Sequence, residues 1–125
     1  MIAAGLPPVA RLRRAADFAA LRHAERWQGR HFLLRWRTGP EGHARLGLAV
    51  SRKVSKRAVE RNRIKRVVRE SFRNGREGLP ALDILVIARS SASGTPNPVL
   101  VADLALAWHK FKTLKQASAP GTIGG

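Results

Sequence analysis

The sequence predicts an α+β fold, a two-layer α/β sandwich in which helices pack on a mostly antiparallel sheet. Segments with helical periodicity and segments that alternate at every second residue succeed one another along the chain. Hydrophobic residues make up 44% of the sequence, as in ordinary folded proteins. The 125 residues suffice for one domain with a modest core but are too few for two. The predicted order of elements is α-β-β-β-α-β-α.

The first half of the chain is predicted to contain one helix and three strands. Residues 12–23 place apolar side chains at three- and four-residue steps, which is typical of a short amphipathic helix. In residues 30–37 and 44–51, successive side chains fall alternately on two faces, as they do in strands. The second of these strands has an unusually small face, which would let another backbone approach closely; its members are Gly47, Ala49 and Ser51. The segment 25–29 is too short for its pattern to decide, and the predicted order counts it as a strand.

The second half is predicted to alternate between helix and strand. Residues 51–73 become helical, and residues 82–89 are nearly continuous Leu, Ile and Val, typical of a strand covered on both faces. Asn97 is a plausible N-cap for a last helix with an apolar stripe. An irregular lead-in, a single domain and a loose tail are therefore expected at residues 1–9, 10–116 and 117–125.

The charge of the chain points to a polyanionic partner. Lys and Arg number 24 against 8 acids, a formal net charge of +16, so nucleic acid is the first candidate partner. A membrane is the second, but no apolar run approaches the roughly 20 residues that span a bilayer, and the N-terminus does not resemble a secretory signal. The absence of cysteine excludes disulfides and thiolate metal sites and fits a cytoplasmic location.

Half of this charge lies in residues 51–73, which contain ten Lys or Arg and two acids, a net +8 of the +16. At helical spacing, apolar side chains gather on one side, and the opposite side collects Asn62, Lys65, Arg66, Arg69 and Arg73. Glu70 is a candidate partner for Arg66, whereas Arg61, Arg69 and Arg73 are expected to have no carboxylate at helical spacing. Unpaired arginines on a rigid face favour phosphate binding.

No catalytic or metal site is predicted in the protein itself. The eight acids are scattered singly, and the four histidines lack ligand spacing, so neither a metal-binding carboxylate cluster nor an acid–base pair is apparent. The three tryptophans are interpreted as core or core-edge residues. Phe18 has two open interpretations, as a core residue or as a stacking surface for a base.

The segment "KRAVERNRIKRVVRESFR" resembles the signature helix of the bacterial ribonuclease P protein subunit, whose hallmark is an Arg-Asn-Arg core, here Arg61, Asn62 and Arg63. The resemblance extends to "RLRRAADFAALR", "ARLGLAVSRKVSKRAVERNR" and "LDILVIAR", and covers roughly residues 10–115. It implies a left-handed βαβ crossover and a fold similar to the second domain of a small-subunit ribosomal protein.

The resemblance also implies a function. The family's protein joins a catalytic RNA and promotes removal of the 5′ leader from precursor tRNA, while the RNA performs the hydrolysis with Mg²⁺. The protein is then the non-catalytic subunit of an endoribonuclease and binds no cofactor itself. Its implied partners are ribonuclease P RNA and precursor tRNA, with neither membrane nor DNA.

Two sets of site residues follow from the resemblance. The catalytic RNA would contact Arg61, Asn62, Arg63, Lys65, Arg66, Arg69 and Arg73. The leader would lie in the cleft between the first helix and the sheet, against Phe18, Arg22, Leu33, Arg35, Ala49, Ser51, Arg52 and Lys53. Family members often carry aromatic residues where this chain has Arg22 and Arg35, so stacking is expected to be weaker here and charge contacts stronger.

Two alternatives are kept. A ribosomal-type or chaperone-like RNA-binding protein without an enzymatic role would share the charge and its salt dependence. A DNA-binding regulator would need the basic helix to read a major groove, but no helix-turn-helix spacing or dimerisation element is present.

Overall fold

A four-stranded sheet with the strand order β1-β2-β4-β3 organises the chain. The structure is a computed structural model that describes residues 10–12 and 14–124, with side chains as far as Leu114, so the predicted lead-in at 1–9 lies outside the described residues. The strands are β1 (Glu25–Gln28), β2 (Phe32–Thr38), β3 (Arg45–Ala49) and β4 (Leu82–Ala88). The helices are α1 (Ala15–Leu21), α2 (Ala58–Gly75) and α3 (Asn97–Gly124).

This element order confirms the predicted α+β class, including the short strand β1. β1 pairs with β2 and β2 with β4 in antiparallel fashion, whereas β3 and β4 are parallel. Since parallel neighbours need a crossover, α2 connects β3 to β4 as a βαβ unit. The left hand of this crossover stays an expectation from the resemblance.

The main core lies between one face of the sheet and the helices α2 and α3. Alternate residues of the central strands point into it, and α2 contributes its predicted apolar side chains Ile64, Val67, Val68 and Phe72. Trp108 is 5% exposed and meets the Phe72 ring edge-on at a centroid distance of 5.7 Å. The interpretation of the tryptophans is confirmed, because Trp27 and Trp36 pack against the edge of this core.

The other face of the sheet is partly covered by α1. Leu12 and Leu21 are buried outside the main core cluster. A Cβ atom on Gly47 would lie only 2.8 Å from Cε1 of Phe18. The small face of β3 therefore admits a phenyl ring, while the backbone that approaches β3 pairs with its edge, where the Leu12 N–H donates to the Leu46 carbonyl at 2.8 Å.

The backbone of α3 continues as a helix to Gly124. The sequence predicts a loose tail from residue 117.

Asp103 of α3 anchors the turn between β1 and β2. Its carboxylate accepts hydrogen bonds from the backbone N–H of Arg30 at 3.1 Å and of His31 at 3.0 Å. Asp103 is buried, so these bonds satisfy donors and an acceptor that water reaches poorly.

Replacing Asp103 by Ala is expected to lower the free energy of unfolding by about 2–3 kcal/mol, because two backbone donors lose a charged acceptor. Denaturant unfolding measures this effect. The control is Lys110→Ala on the exposed side of the same helix, which should stay within about 0.5 kcal/mol of the wild type. Equal losses for both variants would show that Asp103 does not hold the turn.

Candidate nucleic-acid interface

The outer face of α2 carries a row of cations, called here the α2 ridge: Lys65, Arg66 and Arg69. Arg66 and Arg69 are exposed. Within the described residues, none of the three has a hydrogen bond or ion pair from its side chain. Because the opposite face of α2 is packed in the core, these charges are held on a rigid surface. The predicted separation of an apolar face from a cationic face is confirmed.

Arg73 does not belong to the unpaired set. Its guanidinium forms an ion pair with Glu70, three residues earlier on the helix. The expectation that Arg73 lacks a carboxylate partner is therefore wrong, because side chains three residues apart are neighbours on a helix. Spacing also makes Glu70 a candidate partner for Arg66, but in the structure Glu70 pairs with Arg73.

Arg63, the second arginine of the Arg-Asn-Arg motif, is turned toward the start of α3. It donates two hydrogen bonds to Glu60, at 2.9 and 2.7 Å, and further bonds to the Thr95 carbonyl at 2.9 Å and Asn97 Oδ1 at 2.6 Å. The Gly94 N–H also donates to Glu60. The hydrogen bonds from Arg63 and Gly94 lower the pKa of Glu60 to about 2. Arg63 thus joins α2 to the loop before α3.

The other two residues of the motif are placed differently. Arg61 is half-buried and folds back on the loop before α2, donating to the Ser55 and Lys56 carbonyls at 3.0 Å each. Asn62 is exposed beside the α2 ridge. Of the motif, Asn62 is therefore the member whose side chain is presented outward.

A cleft, called here the α1 cleft, lies on the sheet face that α1 covers only in part. The strand register places Leu33 beside Ile87 and Ile87 beside Ala49, on the same side as the contact between Phe18 and Gly47. Phe18, Leu33 and Ile87 are half-buried, and Ala49 is exposed. The structure thus brings three of the predicted leader residues to one apolar floor.

Two floor residues, Leu85 and Ile87, were missed by sequence reasoning. Both are half-buried and alternate along β4 with the buried Ile84 and Val86. The period-two alternation of "LDILVIAR" places Leu85 and Ile87 on the face of the strand opposite to Ile84 and Val86. The continuous hydrophobicity of the strand concealed that this face is only partly covered.

Cations lie at one side of the mouth of the α1 cleft. Ser51, Arg52 and Lys53 are exposed in the turn after β3, and a shallow depression there is lined by Arg52, Lys53 and Lys56. This turn leads into α2 at Ala58, so the mouth of the cleft lies beside the first residues of the helix that carries the α2 ridge.

The two arginines that replace family aromatics differ in their contacts. Arg22 is exposed at the end of α1. Arg35 is half-buried, and its Nη1 donates to the Ala24 carbonyl at 3.0 Å. Arg35 is therefore partly engaged by the protein itself.

At its far end the α1 cleft is closed by a buried ion cluster. Arg37 and Arg45 flank Asp83 in register and donate to its carboxylate at distances of 2.8–3.2 Å. Asp17 of α1 adds an ion pair with Arg45 at 3.3 Å. Burial alone would raise the pKa of Asp83, but the hydrogen bonds from Arg45 and Arg37 outweigh it and lower the pKa. Two arginines and two acids cancel, so this end offers little net charge to a ligand.

The described part of the chain has neither a metal-binding cluster nor a membrane-spanning helix. No group of three or more His, Asp or Glu side chains there has the geometry of a metal site. No helix among the described residues is long and apolar enough to cross a bilayer.

The fold and this surface define a small, basic protein of the α+β class whose exposed cations suit a polyanionic partner. Residues 6–112 match the family model of ribonuclease P. The chain belongs to the ribonuclease P protein family.

Relatives and solved structures agree with this assignment. The chain is 41% identical over 102 residues to the ribonuclease P protein component of Pseudomonas aeruginosa, covering 78% of this chain and 76% of that protein. It is 45% identical over 90 residues to the component of Aliivibrio fischeri, covering 72% and 77%. The RNase P protein of Staphylococcus aureus superposes with a TM-score of 0.75 at 32% identity, over 82% of this chain and 96% of that one. The protein from Thermotoga maritima gives a TM-score of 0.72 at 30% identity, over 80% and 96%.

Proposed function

We propose that this chain binds ribonuclease P RNA and the 5′ leader of precursor tRNA, and so promotes endonucleolytic removal of the leader. The observation that carries the proposal is the junction of two surfaces, the unpaired α2 ridge and the apolar α1 cleft with cations at its mouth. Arginines on the ridge suit the phosphates of a folded RNA. An apolar floor beside cations suits a single strand whose bases are exposed.

The division of labour is that the protein binds and the RNA performs the hydrolysis with Mg²⁺. Four of the eight carboxylates are already engaged by arginines: Asp83 and Asp17 in the buried cluster, Glu60 by Arg63 and Glu70 by Arg73. Such a donor set does not suit Mg²⁺, which needs free oxygen ligands. In this proposal the protein is a cofactor-free, non-catalytic subunit that acts in the cytoplasm, without a membrane or DNA partner.

Within this function the two surfaces have separate tasks. The α2 ridge neutralises phosphates of the catalytic RNA, which releases counterions and makes binding salt-dependent. The α1 cleft adds affinity for substrates that still carry a leader, so the holoenzyme favours precursor over mature tRNA. Arg63 and Arg61 position α2 through protein contacts, and Asn62 is presented to the RNA.

The central experiment is cleavage of precursor tRNA by a bacterial ribonuclease P RNA at low Mg²⁺, with and without this protein. Cleavage at the mature 5′ end is expected only when both components are present, and protein alone is the control. Tight RNA binding without any enhancement of cleavage would instead favour a ribosomal-type or chaperone-like role.

Replacing Phe18 by Ala is expected to weaken binding of precursor tRNA to the holoenzyme by about 1–3 kcal/mol, the value of one stacked base. Binding of mature tRNA, which has no leader, should change little. Paired affinity measurements with the two ligands test this difference. Equal losses for both ligands, or a lower melting temperature alone, would assign Phe18 to packing on Gly47.

A further inference from the structure

A second recess opens at the end of the sheet opposite to the mouth of the α1 cleft. β2 ends at this edge, and β3 and β4 begin there, so the loop before β3 and the loop after α2 lie side by side. The recess has a volume of about 440 Å³ and is lined by residues 42–44, Arg76, Glu77 and residues 79–81. The α2 ridge and the α1 cleft contribute no residue to it.

Arg76 is the chemically distinctive residue of this recess. Its Nη1 atom is buried and has no hydrogen-bond partner among the described residues. Guanidinium groups remain charged in proteins, and a buried charged donor without an acceptor is unfavourable. Nη1 itself has no exposed surface, so a ligand must displace part of the lining to reach it; the Arg76 residue as a whole is only half-buried and lines the recess.

The acids nearby do not supply that acceptor. Glu77 lines the same recess but forms no ion pair with Arg76 in the described structure. Asp83, the buried acid at the start of β4, is already held by Arg37 and Arg45. The positive charge of Arg76 is thus not neutralised by a contact within the described residues.

We infer that the Arg76 recess binds a phosphate group. The planar fork of arginine matches the oxygens of phosphate, and a partly enclosed site strengthens such a charge-assisted bond. The phosphate is either free inorganic phosphate or a backbone phosphate of RNA. In the second case, it belongs to an RNA segment distinct from the leader, because the recess lies at the opposite end of the sheet.

The first arm of the test is titration of the isolated full chain with inorganic phosphate at constant ionic strength, followed by backbone amide NMR. The amide signals of Gly42, Ala44 and Ala81 are expected to shift and saturate. Arg76→Gln should weaken this saturation at least about tenfold, as expected when one charge-assisted bond is removed. Lys110→Gln, which removes an equal charge from the exposed side of α3, should leave it unchanged.

Two further variants keep this arm decisive if Arg76→Gln folds poorly. Arg76→Lys retains the charge but not the fork and should also weaken saturation. Glu77→Gln removes a repelling carboxylate and should tighten it. The inference is overturned if the three amides respond equally in Arg76→Gln and Lys110→Gln, or if they do not saturate in the wild type.

The second arm distinguishes the two sources of phosphate. If RNA supplies it, Arg76→Gln should reduce the slope of log affinity against log salt for ribonuclease P RNA by about one. If the phosphate is free, that slope stays unchanged while the NMR effect persists. The first arm contains no RNA, so its failure is distinguishable from failure of the proposed function.

Discussion

Replacing Asp83 by Ala is expected to cost about 3–5 kcal/mol of unfolding free energy, because Arg37 and Arg45 then keep their charges without the buried carboxylate between them. Asp83 has no exposed surface and joins β4 to both neighbouring strands. For a domain whose total stability is about 5–15 kcal/mol, this is a large fraction. Urea unfolding of the purified chain measures the loss directly.

The matched control for Asp83→Ala is Glu41→Gln, which removes an exposed carboxylate from the loop before β3 and should change stability by less than about 0.5 kcal/mol. Comparable losses of unfolding free energy in the two variants would mean that the ion cluster around Asp83 stabilises the fold no more than a single surface charge does. Asp83→Asn tests the charge with the shape retained, and should also destabilise the fold.

Unfolding at low pH should also show how much the Asp83 carboxylate contributes to stability. The pKa of Asp83 is lowered in the folded protein from an ordinary value of 3.8. Its contribution to stability is therefore present above the unfolded pKa and is lost as pH falls below about 4 through the folded pKa. Asp83→Asn should flatten the dependence of stability on pH in that range, relative to Glu41→Gln. An unchanged dependence would contradict the lowered pKa.

Replacing both Arg66 and Arg69 by Ala is expected to weaken binding of ribonuclease P RNA on the order of a hundredfold, about tenfold for each charge-assisted bond. The salt slope should fall by about two, one for each phosphate that the protein no longer neutralises. The physical reason is that both side chains are exposed and unpaired within the described residues. Affinity measured over a series of salt concentrations gives both quantities.

Three comparisons make this prediction specific. Lys110→Ala removes one exposed charge from α3 and should leave the slope nearly unchanged. Arg73→Ala should have a smaller effect than Arg66→Ala, since Glu70 already neutralises part of its charge. Arg63→Ala should lower stability more than it lowers the slope, because it breaks the hydrogen bonds to Glu60 and Asn97. If the double variant of Arg66 and Arg69 keeps the wild-type dependence of RNA affinity on salt, the α2 ridge is not part of the RNA interface.

Local patterns were enough to predict the elements but not all of their ends: residues 51–57, predicted as helix, form the turn before α2, which begins at Ala58. The period of apolar residues identified α2 and β2, and the excess of Lys and Arg between residues 51 and 73 located the cationic helix. The same local information contained the pair of Arg73 with Glu70, which sequence reasoning overlooked although the residues are three apart. These features depend on neighbours along the chain, so spacing identifies the candidates, although the structure decides that Glu70 pairs with Arg73 and not with Arg66.

The sequence by itself determined the order of elements, the amphipathic α2 and the resemblance on which the family assignment began. Only the tertiary structure decided which cations are paired. Asp83 meets Arg37 and Arg45 across 46 and 38 residues, and Arg63 reaches Asn97 across 34. Strand register likewise made Leu85 and Ile87 part of the cleft floor, and loop packing left Arg76 Nη1 buried without a partner among the described residues. Such contacts join residues far apart in sequence, and their distances exist only once the sheet is paired and its connecting loops are packed.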